Sequence, residues 1–299
     1  MEIAYIDRKT GQRCIEKVYG HMALSLLYGD GLWKGLFSKL VLPLLAHFPL
    51  FSILYGYFQK RPRSAKKIAP FIRAYGIDAD EFVEKEFISF NEFFIRKLKQ
   101  ERRPIVADPN VLAMPADGRY LVYPQFDQFL VKGKEFSLVD FLQNSAMASR
   151  YRAGSMAIIR LCPTDYHRFH FPCDGVASSA QLINGPLFSV NPMALRRRMS
   201  ILSENKRMVT EIETGRFGTI LYAEVGATSV GSIHQTYVRG PVKKGAEKGY
   251  FEFGGSCVVL LFERGRMVFD EDLVANTQRG LETRANFGES LGKRQLGSA

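Results

Sequence analysis

Short apolar runs, separated by Gly, Pro and Asp, dominate the last two thirds of the chain. Candidate runs lie at residues 155–161 (SMAIIRL), 219–225 (TILYAEV), 229–233 (SVGSI) and 257–262 (CVVLLF). Runs of this length that are bounded by turn residues are typical of buried strands. Because few helical crossovers separate them, the pattern predicts a largely antiparallel β-rich body.

The first third of the chain has a different texture. Residues 79–99 (ADEFVEKEFISFNEFFIRKLK) repeat aromatic side chains near the helical period, at Phe82, Phe87, Phe90 and Phe94. This spacing predicts a helical segment, in which Ser89 or Asn91 would cap a second short helix. The change of texture near Pro104 predicts an α+β protein with a helical region over residues 1–104 and a β-rich domain over residues 105–299.

Positive charge is concentrated in the helical region. The 299-residue chain carries a formal net charge of +11, and residues 31–77 contain no Asp or Glu. The basic residues of that window are Lys34, Lys39, Lys60, Arg61, Arg63, Lys66, Lys67 and Arg73. A local excess of this kind favours an anionic partner, either a membrane surface or a nucleic acid.

The apolar residues between these charges favour the membrane. Residues 36–58 (LFSKLVLPLLAHFPLFSILYGYF) are rich in Leu, Phe and Tyr, but Lys39, Pro43, His47 and Pro49 interrupt them. These breaks disfavour a spanning helix and favour an amphipathic anchor in the interface beside a basic run. A pair of core helices with a solvated basic flank is the alternative. No nucleic-acid-binding motif is recognisable, so we predict no nucleic-acid partner.

The cysteines and the first residues indicate a reducing compartment. Cys14, Cys162, Cys173 and Cys257 form neither a CxxC pair nor a metal-ligand cluster, and we predict no metal. The N-terminal sequence MEIAYIDRKTGQRCIEK is charged and has no apolar segment of the kind found in secretory signals.

Three stretches carry residue types that chemistry could use, although each also has a purely structural interpretation. MPADGRY around Asp117 reads as a turn, YHRFHFPCDG holds His167 and His170, and FEFGGSCVVLLFE reads as a bend before a core strand. Taken together, Asp117, His170 and Ser256 supply the carboxylate, base and hydroxyl of an activated nucleophile. The glycines before Ser256 would let a base approach the Gly255 carbonyl, so the serine would attack its own preceding peptide bond.

The chain resembles the phosphatidylserine decarboxylases, a pyruvoyl-dependent and self-cleaving family. The matching stretches are SFNEFFIRKL (89–98), PADG (115–118), YHRFHFPCDG (166–175), NGPLFSVNP (184–192) and KKGAEKGYFEFGGS (243–256). One departure concerns the residue after the modified serine, which is usually Thr or Ser in the family and is Cys257 here. Because this residue contributes only its backbone nitrogen to the new amide, we expect self-cleavage to survive.

The resemblance implies a precursor that cleaves itself between Gly255 and Ser256. His170, oriented by Asp117, would activate Ser256, which would become a pyruvoyl group at the start of a second chain, residues 256–299. Phosphatidylserine would then form a Schiff base with this covalent cofactor and lose carbon dioxide to give phosphatidylethanolamine. His167 is the candidate proton donor.

The resemblance also implies where the protein works and what it contacts. It suggests a peripheral protein on the cytoplasmic face of a bacterial cell membrane, bound to its anionic surface, and a homodimer. The 184–192 loop with Arg196, Arg197 and Arg198 either lines the headgroup site or forms a solvated face. His234 either supports the site from behind or is simply packed.

Two other functions remain open on the residues alone. A serine hydrolase acting on lipids would use the same three residues, but it predicts a GxSxG elbow, and Ser256 has no Gly two residues later. A membrane-bound scaffold would explain the basic region and would leave the Asp, His and Ser motifs unused. Replacing Ser256 by Ala separates these functions, since only the decarboxylase would lose both chain cleavage and activity.

Overall fold

A computed structural model of the protein describes residues 3–18, 50–125, 130–131, 134–198, 200–227, 232–254 and 256–295. Its strands are β1 Ala4–Asp7, β2 Arg13–Ile15, β3 Val111–Ala113, β4 Gly118–Tyr123, β5 Leu130–Val131, β6 Lys134–Glu135, β7 Ser155–Leu161, β8 Arg168–His170, β9 Gly175–Ala177, β10 Gln181–Ile183, β11 Arg207–Thr214, β12 Gly218–Gly226, β13 Ile233–Gln235, β14 Gly240–Val242, β15 Glu247–Phe251, β16 Ser256–Phe262, β17 Met267–Phe269, β18 Glu282–Ala285 and β19 Ser290–Arg294.

Helices are short and occur mainly around the sheets. The α-helices of the described residues are Leu50–Lys60, Ile68–Tyr75, Phe90–Phe94, Leu138–Leu142, Ser145–Tyr151, Pro192–Arg197, Ile201–Glu204 and Glu271–Gln278. Short 3₁₀ helices lie at Pro62–Lys67, Ala79–Glu81 and Gln100–Arg102. None of the helices in the described part of the chain is long and apolar enough to cross a membrane.

An eleven-stranded sheet forms the centre of the described molecule. Its order is β14-β9-β11-β12-β16-β7-β4-β18-β1-β2, with β10 paired to β11. Within this sheet only the β1–β18 pairing is parallel, so the predicted α+β class with a largely antiparallel body is confirmed. Every residue of β7 and β16 is buried, because one hydrophobic cluster covers each face of the sheet.

The strands predicted from continuous apolar runs lie where the sequence placed them. The run at 155–161 is β7, the run at 219–225 lies in β12, and the run at 257–262 lies in β16. The fourth run, 229–233, falls largely outside the described residues, and strand β13 begins at its last residue. Such runs identify central strands because both faces of a central strand are buried.

The N-terminal region differs from the prediction in two places. Residues 3–18 form the hairpin β1–β2, whose first strand pairs with β18, so they extend the large sheet. The helix predicted over 79–99 is also interrupted: only Ala79–Glu81 and Phe90–Phe94 are helical. The predicted cap is confirmed at Ser89, whose side chain accepts a hydrogen bond from the Glu92 backbone N–H.

Tertiary packing explains why the aromatic repeat did not form one helix. Phe71, Phe82, Phe90, Phe93, Phe94 and Phe253 form one buried cluster. The ring of Phe93 lies 5.6–5.9 Å from those of Phe71, Phe82, Phe87 and Phe90, mostly edge to face. Aromatic contacts of this kind stabilise the fold beyond the effect of the area they bury. Here an irregular chain that turns back on itself makes these contacts.

We expect Phe93→Ala to destabilise the fold by about 3–5 kcal/mol, because a fully buried ring would leave a cavity among its aromatic neighbours. Denaturant unfolding of the variant and the parent measures this difference. Ile88→Ala, at a side chain that is 73% exposed in the same segment, is the matched control and should stay within about 0.5 kcal/mol of the parent. Equal effects of the two substitutions would contradict the aromatic core.

Candidate active site

Ser256 is the first residue of the central strand β16. Its backbone pairs with Gly226 of β12 on one side and with Leu161 of β7 on the other. Its side chain is fully buried. Because side chains alternate along a strand, its hydroxyl lies on the same face as Val258, whereas Cys257 belongs to the cluster on the opposite face.

The chain bends immediately before this strand. Gly254 has a φ of 142°, a backbone conformation that residues with a Cβ rarely adopt. The predicted bend is therefore present at this glycine, while Gly255, the other residue of the predicted cleavage site, lies outside the described residues.

His167 is the residue that faces the serine hydroxyl. Its Nδ1 lies 3.3 Å from Ser256 Oγ, and its Nε2 lies 2.8 Å from the Cys162 carbonyl oxygen. Because a carbonyl oxygen can only accept, Nε2 carries the proton and Nδ1 offers a lone pair to the serine. Phe94 stacks on the imidazole with ring centroids 3.8 Å apart, so the SFNEFFIRKL stretch covers one face of the ring.

Burial keeps this imidazole neutral. The side chain is fully buried, and desolvation lowers the pKa of His167 to about 3, against a smaller raising effect of Asp165. At neutral pH the ring is therefore an uncharged acceptor, which is the protonation state that a general base needs.

His170 lies in a different environment from His167. Its Nδ1 donates to the Gly245 carbonyl oxygen at 3.0 Å, its Nε2 accepts from the Tyr166 hydroxyl at 3.2 Å, and its ring stacks on Phe287. Burial lowers the pKa of His170 to about 4. The expectation that the two histidines would not share a face is confirmed, and it is His167 whose ring points to Ser256.

Asp117 is bound by an arginine. Its carboxylate accepts hydrogen bonds from Arg103 at 2.7–3.1 Å and from the Phe287 backbone N–H at 2.8 Å. The Arg103 guanidinium also donates two hydrogen bonds to the Glu81 carboxylate. A charged guanidinium is a stronger partner for a carboxylate than a neutral imidazole is.

The contacts of these side chains differ from those expected of the relay. Ser256 Oγ is hydrogen-bonded to His167 and Asp117 to Arg103, and among the described contacts His170 is hydrogen-bonded to neither Ser256 nor Asp117. Phe287 lies between Asp117 and His170: its N–H donates to the carboxylate, and its ring stacks on the imidazole.

Sequence reasoning missed the residues behind His167. Asp165 accepts a hydrogen bond from the Cys162 N–H and is paired with Arg119, while Arg96 donates to the carbonyl oxygens of Thr164 and Asp165. The available signal was the position of Asp165, two residues before His167. Arg96 lies within SFNEFFIRKL, one of the stretches that carry the family resemblance.

A second buried charge pair lies on the same face of the sheet, with Glu224 two residues before Gly226, the strand partner of Ser256. Lys248 Nζ lies 2.5 Å from Glu224 Oε1, both side chains are fully buried, and Gln235 bridges them. The described hydrogen bonds of this pair do not include Ser256 or His167. His234, which was expected either to support the site or to be packed, is partly exposed and stacks on Tyr250.

No described contact joins Ser256 to the 184–192 stretch or to the arginines that follow it. Asn184, Gly185 and Pro186 line an open groove of about 660 Å³ together with Asp140 and Glu204. Arg198 is exposed and pairs with Glu204. The side chains of Arg196 and Arg197 lie outside the described residues, so headgroup binding by these arginines stays a prediction.

A buried serine that faces a neutral imidazole at the start of a central strand is the arrangement of a nucleophile and its base, and it defines an enzyme-type site. Residues 90–293 match the sequence profile of the phosphatidylserine decarboxylase family. The chain is 48% identical to the phosphatidylserine decarboxylase proenzyme of Chlamydia muridarum over 299 residues, covering 98% of each chain. The chain belongs to this family of decarboxylases.

Further relatives are similar over the same length. The chain is 47% identical to the phosphatidylserine decarboxylase proenzyme of Chlamydia caviae and 44% identical to that of Chlamydia trachomatis serovar D, with 98% of this chain and 98% of each relative covered. The family predicted from five short motifs is thus confirmed over 98% of the chain.

The buried neutral histidine predicts a pH-dependent stability. Above about pH 6.5 the His167 imidazole is neutral in both the folded and the unfolded chain and contributes no pH dependence. Below this pH the unfolded chain binds a proton there, whereas the folded chain does not bind it until about pH 3. The free energy of unfolding of a Ser256→Ala precursor should therefore fall about 2 kcal/mol more between pH 7.5 and 5.0 than that of the same precursor with His167→Gln.

Urea unfolding at the two pH values measures this difference. The Ser256→Ala precursor that retains His167 is the reference in both measurements. The same loss with and without His167 would show that its imidazole is not held neutral in the folded chain.

Proposed function

We propose that this chain is a proenzyme that cleaves itself before Ser256 and then converts phosphatidylserine to phosphatidylethanolamine and carbon dioxide. The observation that carries the proposal is the 3.3 Å contact between the Ser256 hydroxyl and the unprotonated Nδ1 of His167, directly after the Gly254 bend. The names of the family and of the relatives support the reaction and the proenzyme form.

In maturation, His167 Nδ1 takes the proton of Ser256 Oγ, and the alkoxide attacks the Gly255 carbonyl carbon. The amide becomes an ester when the C–N bond breaks and the serine nitrogen is protonated. Loss of the serine α-proton then breaks the Cβ–O bond and releases the Gly255 carboxylate. The remaining dehydroalanine tautomerises, and water replaces its nitrogen, which leaves as ammonia.

Two assignments of the base are compatible with the residues of the site. The contacts favour His167, whereas the relay expected from the sequence uses Asp117 and His170. The second assignment needs His170 to exchange its bond with Tyr166 for one with Ser256. If the His170→Ala protein still cleaves itself and the His167→Ala protein does not, the first assignment is supported. The reverse outcome supports the second.

The site suits a pyruvoyl group at position 256. Such a group supplies a keto carbon that condenses with the substrate amine and accepts the electrons released with carbon dioxide. The residue at 256 is fully buried, which places this group in the interior of the protein. His167 Nδ1 lies within reach of that position, but it carries no proton in this structure, so the expected role of His167 as proton donor requires Nδ1 to take up a proton first.

Contacts of the N-terminal region support a membrane-facing role for the helix Leu50–Lys60. Its exposed apolar side chains include Leu54, Tyr57 and Phe58, and exposed basic residues follow at Lys60 and Arg61. Apolar side chains beside basic ones are the composition of an interfacial helix. We therefore keep the expectation of a peripheral protein on the cytoplasmic face of the cell membrane, with residues 1–104 as the membrane-associating region.

The same helix is joined to the segment that precedes the cleavage site. Lys60 pairs with Glu252 at 2.7 Å, and the Tyr55 ring lies 5.7 Å from that of Phe253. A lipid bound at this helix would thus lie close to the chain that leads to Ser256, as an enzyme acting on a membrane lipid requires. The homodimer suggested by the family resemblance stays part of the proposal, and light scattering of the purified protein tests it.

The intact mass of the denatured protein tests self-cleavage. We expect two chains, residues 1–255 and residues 256–299, with the smaller one lighter by one ammonia than a chain beginning with serine. Ser256→Ala should give one full-length chain and no carbon dioxide from phosphatidylserine. A wild-type chain that stays whole, or a Ser256→Ala protein that is still cut, would refute the maturation proposal.

Sedimentation with vesicles tests the membrane contact. Replacing Arg61, Arg63, Lys66 and Lys67 by Gln should weaken binding to vesicles of anionic lipid, most strongly at low salt, because each basic residue contributes about 1 kcal/mol near such a surface. Lys60 is left unchanged because of its pair with Glu252. The matched control carries the same charge change at exposed residues of the other regions, Lys9, Arg13, Arg264 and Arg279. Equal binding by the two variants would contradict an electrostatic role of the basic run.

A further inference from the structure

The buried amide of Asn205 connects the 184–192 stretch to the strand beside Ser256. Its Oδ1 accepts a hydrogen bond from the Phe188 backbone N–H at 3.0 Å. Its Nδ2 donates to the carbonyl oxygens of Phe188 at 2.7 Å and of Gly226 at 2.8 Å. The side chain is fully buried, and all three bonds go to main-chain groups. The amide therefore acts as an additional peptide group between two segments of the chain.

Gly226 is the residue of β12 that lies opposite Ser256. Its backbone N–H donates to the Lys206 carbonyl oxygen at 2.9 Å, so its polar main-chain groups point toward Asn205 and Lys206 and away from β16. Opposite residues that exchange no hydrogen bonds have their Cα atoms about 4.5 Å apart. The Asn205 amide thus holds the Phe188 main chain near residue 256, although no described contact joins the two directly.

Further main-chain contacts place the same stretch against the chain around Asn205. The Lys206 backbone N–H donates to the Pro186 carbonyl oxygen at 3.0 Å. A Cβ at Gly185 would lie 2.0 Å from the Glu204 carbonyl oxygen, so this close approach requires glycine. The stretch therefore has a defined position relative to the end of β12, and Asn205 is the side chain that joins the two.

We propose that Asn205 is a positioning residue for the substrate: it fixes the 184–192 stretch beside residue 256, where the stretch forms one wall of the site that takes the lipid headgroup. This inference rests on the proposed function, in which the substrate amine condenses with the group at position 256. The phosphate of phosphatidylserine is only a few bonds from that amine, so it must lie beside residues that neighbour Ser256.

A purely structural role of Asn205 predicts a different result. If the amide only stabilised the fold, its loss would lower the thermal midpoint without a selective effect on substrate binding by the molecules that remain folded. Self-cleavage is the internal reference, because its reacting groups belong to one chain and need no substrate. A defect in the wall should therefore appear in the KM for the lipid and not in the rate of cleavage.

Decarboxylation of dihexanoylphosphatidylserine, a water-soluble substrate, by the mature enzyme gives the first measurement. We expect Asn205→Ala to raise KM roughly tenfold and to change kcat and the self-cleavage rate less than about threefold, because the wall moves and the reacting groups do not. The matched control is Asn276→Ala, at a buried amide that donates to Thr283 Oγ1 at 3.0 Å. It should lower the thermal midpoint and leave KM unchanged.

NMR of the Ser256→Ala precursor labelled with ¹⁵N-phenylalanine gives a second measurement, which needs no turnover. The Phe188 amide signal is identified by its loss in Phe188→Leu. It should shift on titration with dihexanoylphosphatidylserine and stay in place with inorganic phosphate at the same concentration. An equal shift with phosphate would show that the stretch responds to any anion and would overturn its assignment to the lipid headgroup.

The outcomes distinguish this wall from the proposed function. An unchanged KM in Asn205→Ala, an equal loss of self-cleavage, or a Phe188 amide that ignores the lipid would overturn the inference. Where Asn205→Ala does not fold, Asn205→Ser, whose hydroxyl can keep one of the three bonds, decides by the same kinetics. A wild-type chain that is never cut would refute the proposed function instead, and the lipid titration of the precursor would still test the wall.

Discussion

The contact between Ser256 and His167 depends on the absence of water. In water an imidazole with an ordinary pKa would be partly protonated near pH 6.5 and would lose its acceptor. Here His167 is fully buried, and desolvation keeps it neutral. The elements packed around the site keep His167 buried. The central strand β16 supplies the serine, β7 and β12 flank it, and Phe94 covers the imidazole.

The same constraint explains why elements far apart in the chain meet at this point. Phe94 comes from the short helix Phe90–Phe94, His167 precedes β8, and Ser256 begins β16. Phe253 joins the aromatic cluster of Phe90 and Phe94 and thereby attaches the segment before the cleavage site to the N-terminal region. The motif SFNEFFIRKL therefore contributes through the packing of Phe94 on the imidazole and through the hydrogen bonds of Arg96 to the turn before His167.

Sequence alone could predict the parts of this arrangement that depend on local pattern. The central strands are continuous apolar runs, and the glycines before Ser256 indicate a bend, which is present at Gly254. It could not predict which histidine faces the serine, because spacing shows only that His167 and His170 point in different directions. Nor could it predict the partner of Asp117, since Arg103 reaches that carboxylate only after the chain folds back.

The pairing of the buried charges around the site is the part of its geometry that is hardest to predict from the sequence. Arg119 and Arg160 are paired across the β4–β7 ladder, and each needs an anionic partner because neither is exposed to water. Arg119 takes Asp165, Arg160 takes Glu282, and Glu16 of the N-terminal hairpin lies close to both arginines. Removing one charge would leave another buried and unpaired. The turn that orients His167 is therefore fixed by strand pairing and charge together, which no stretch of the sequence reveals by itself.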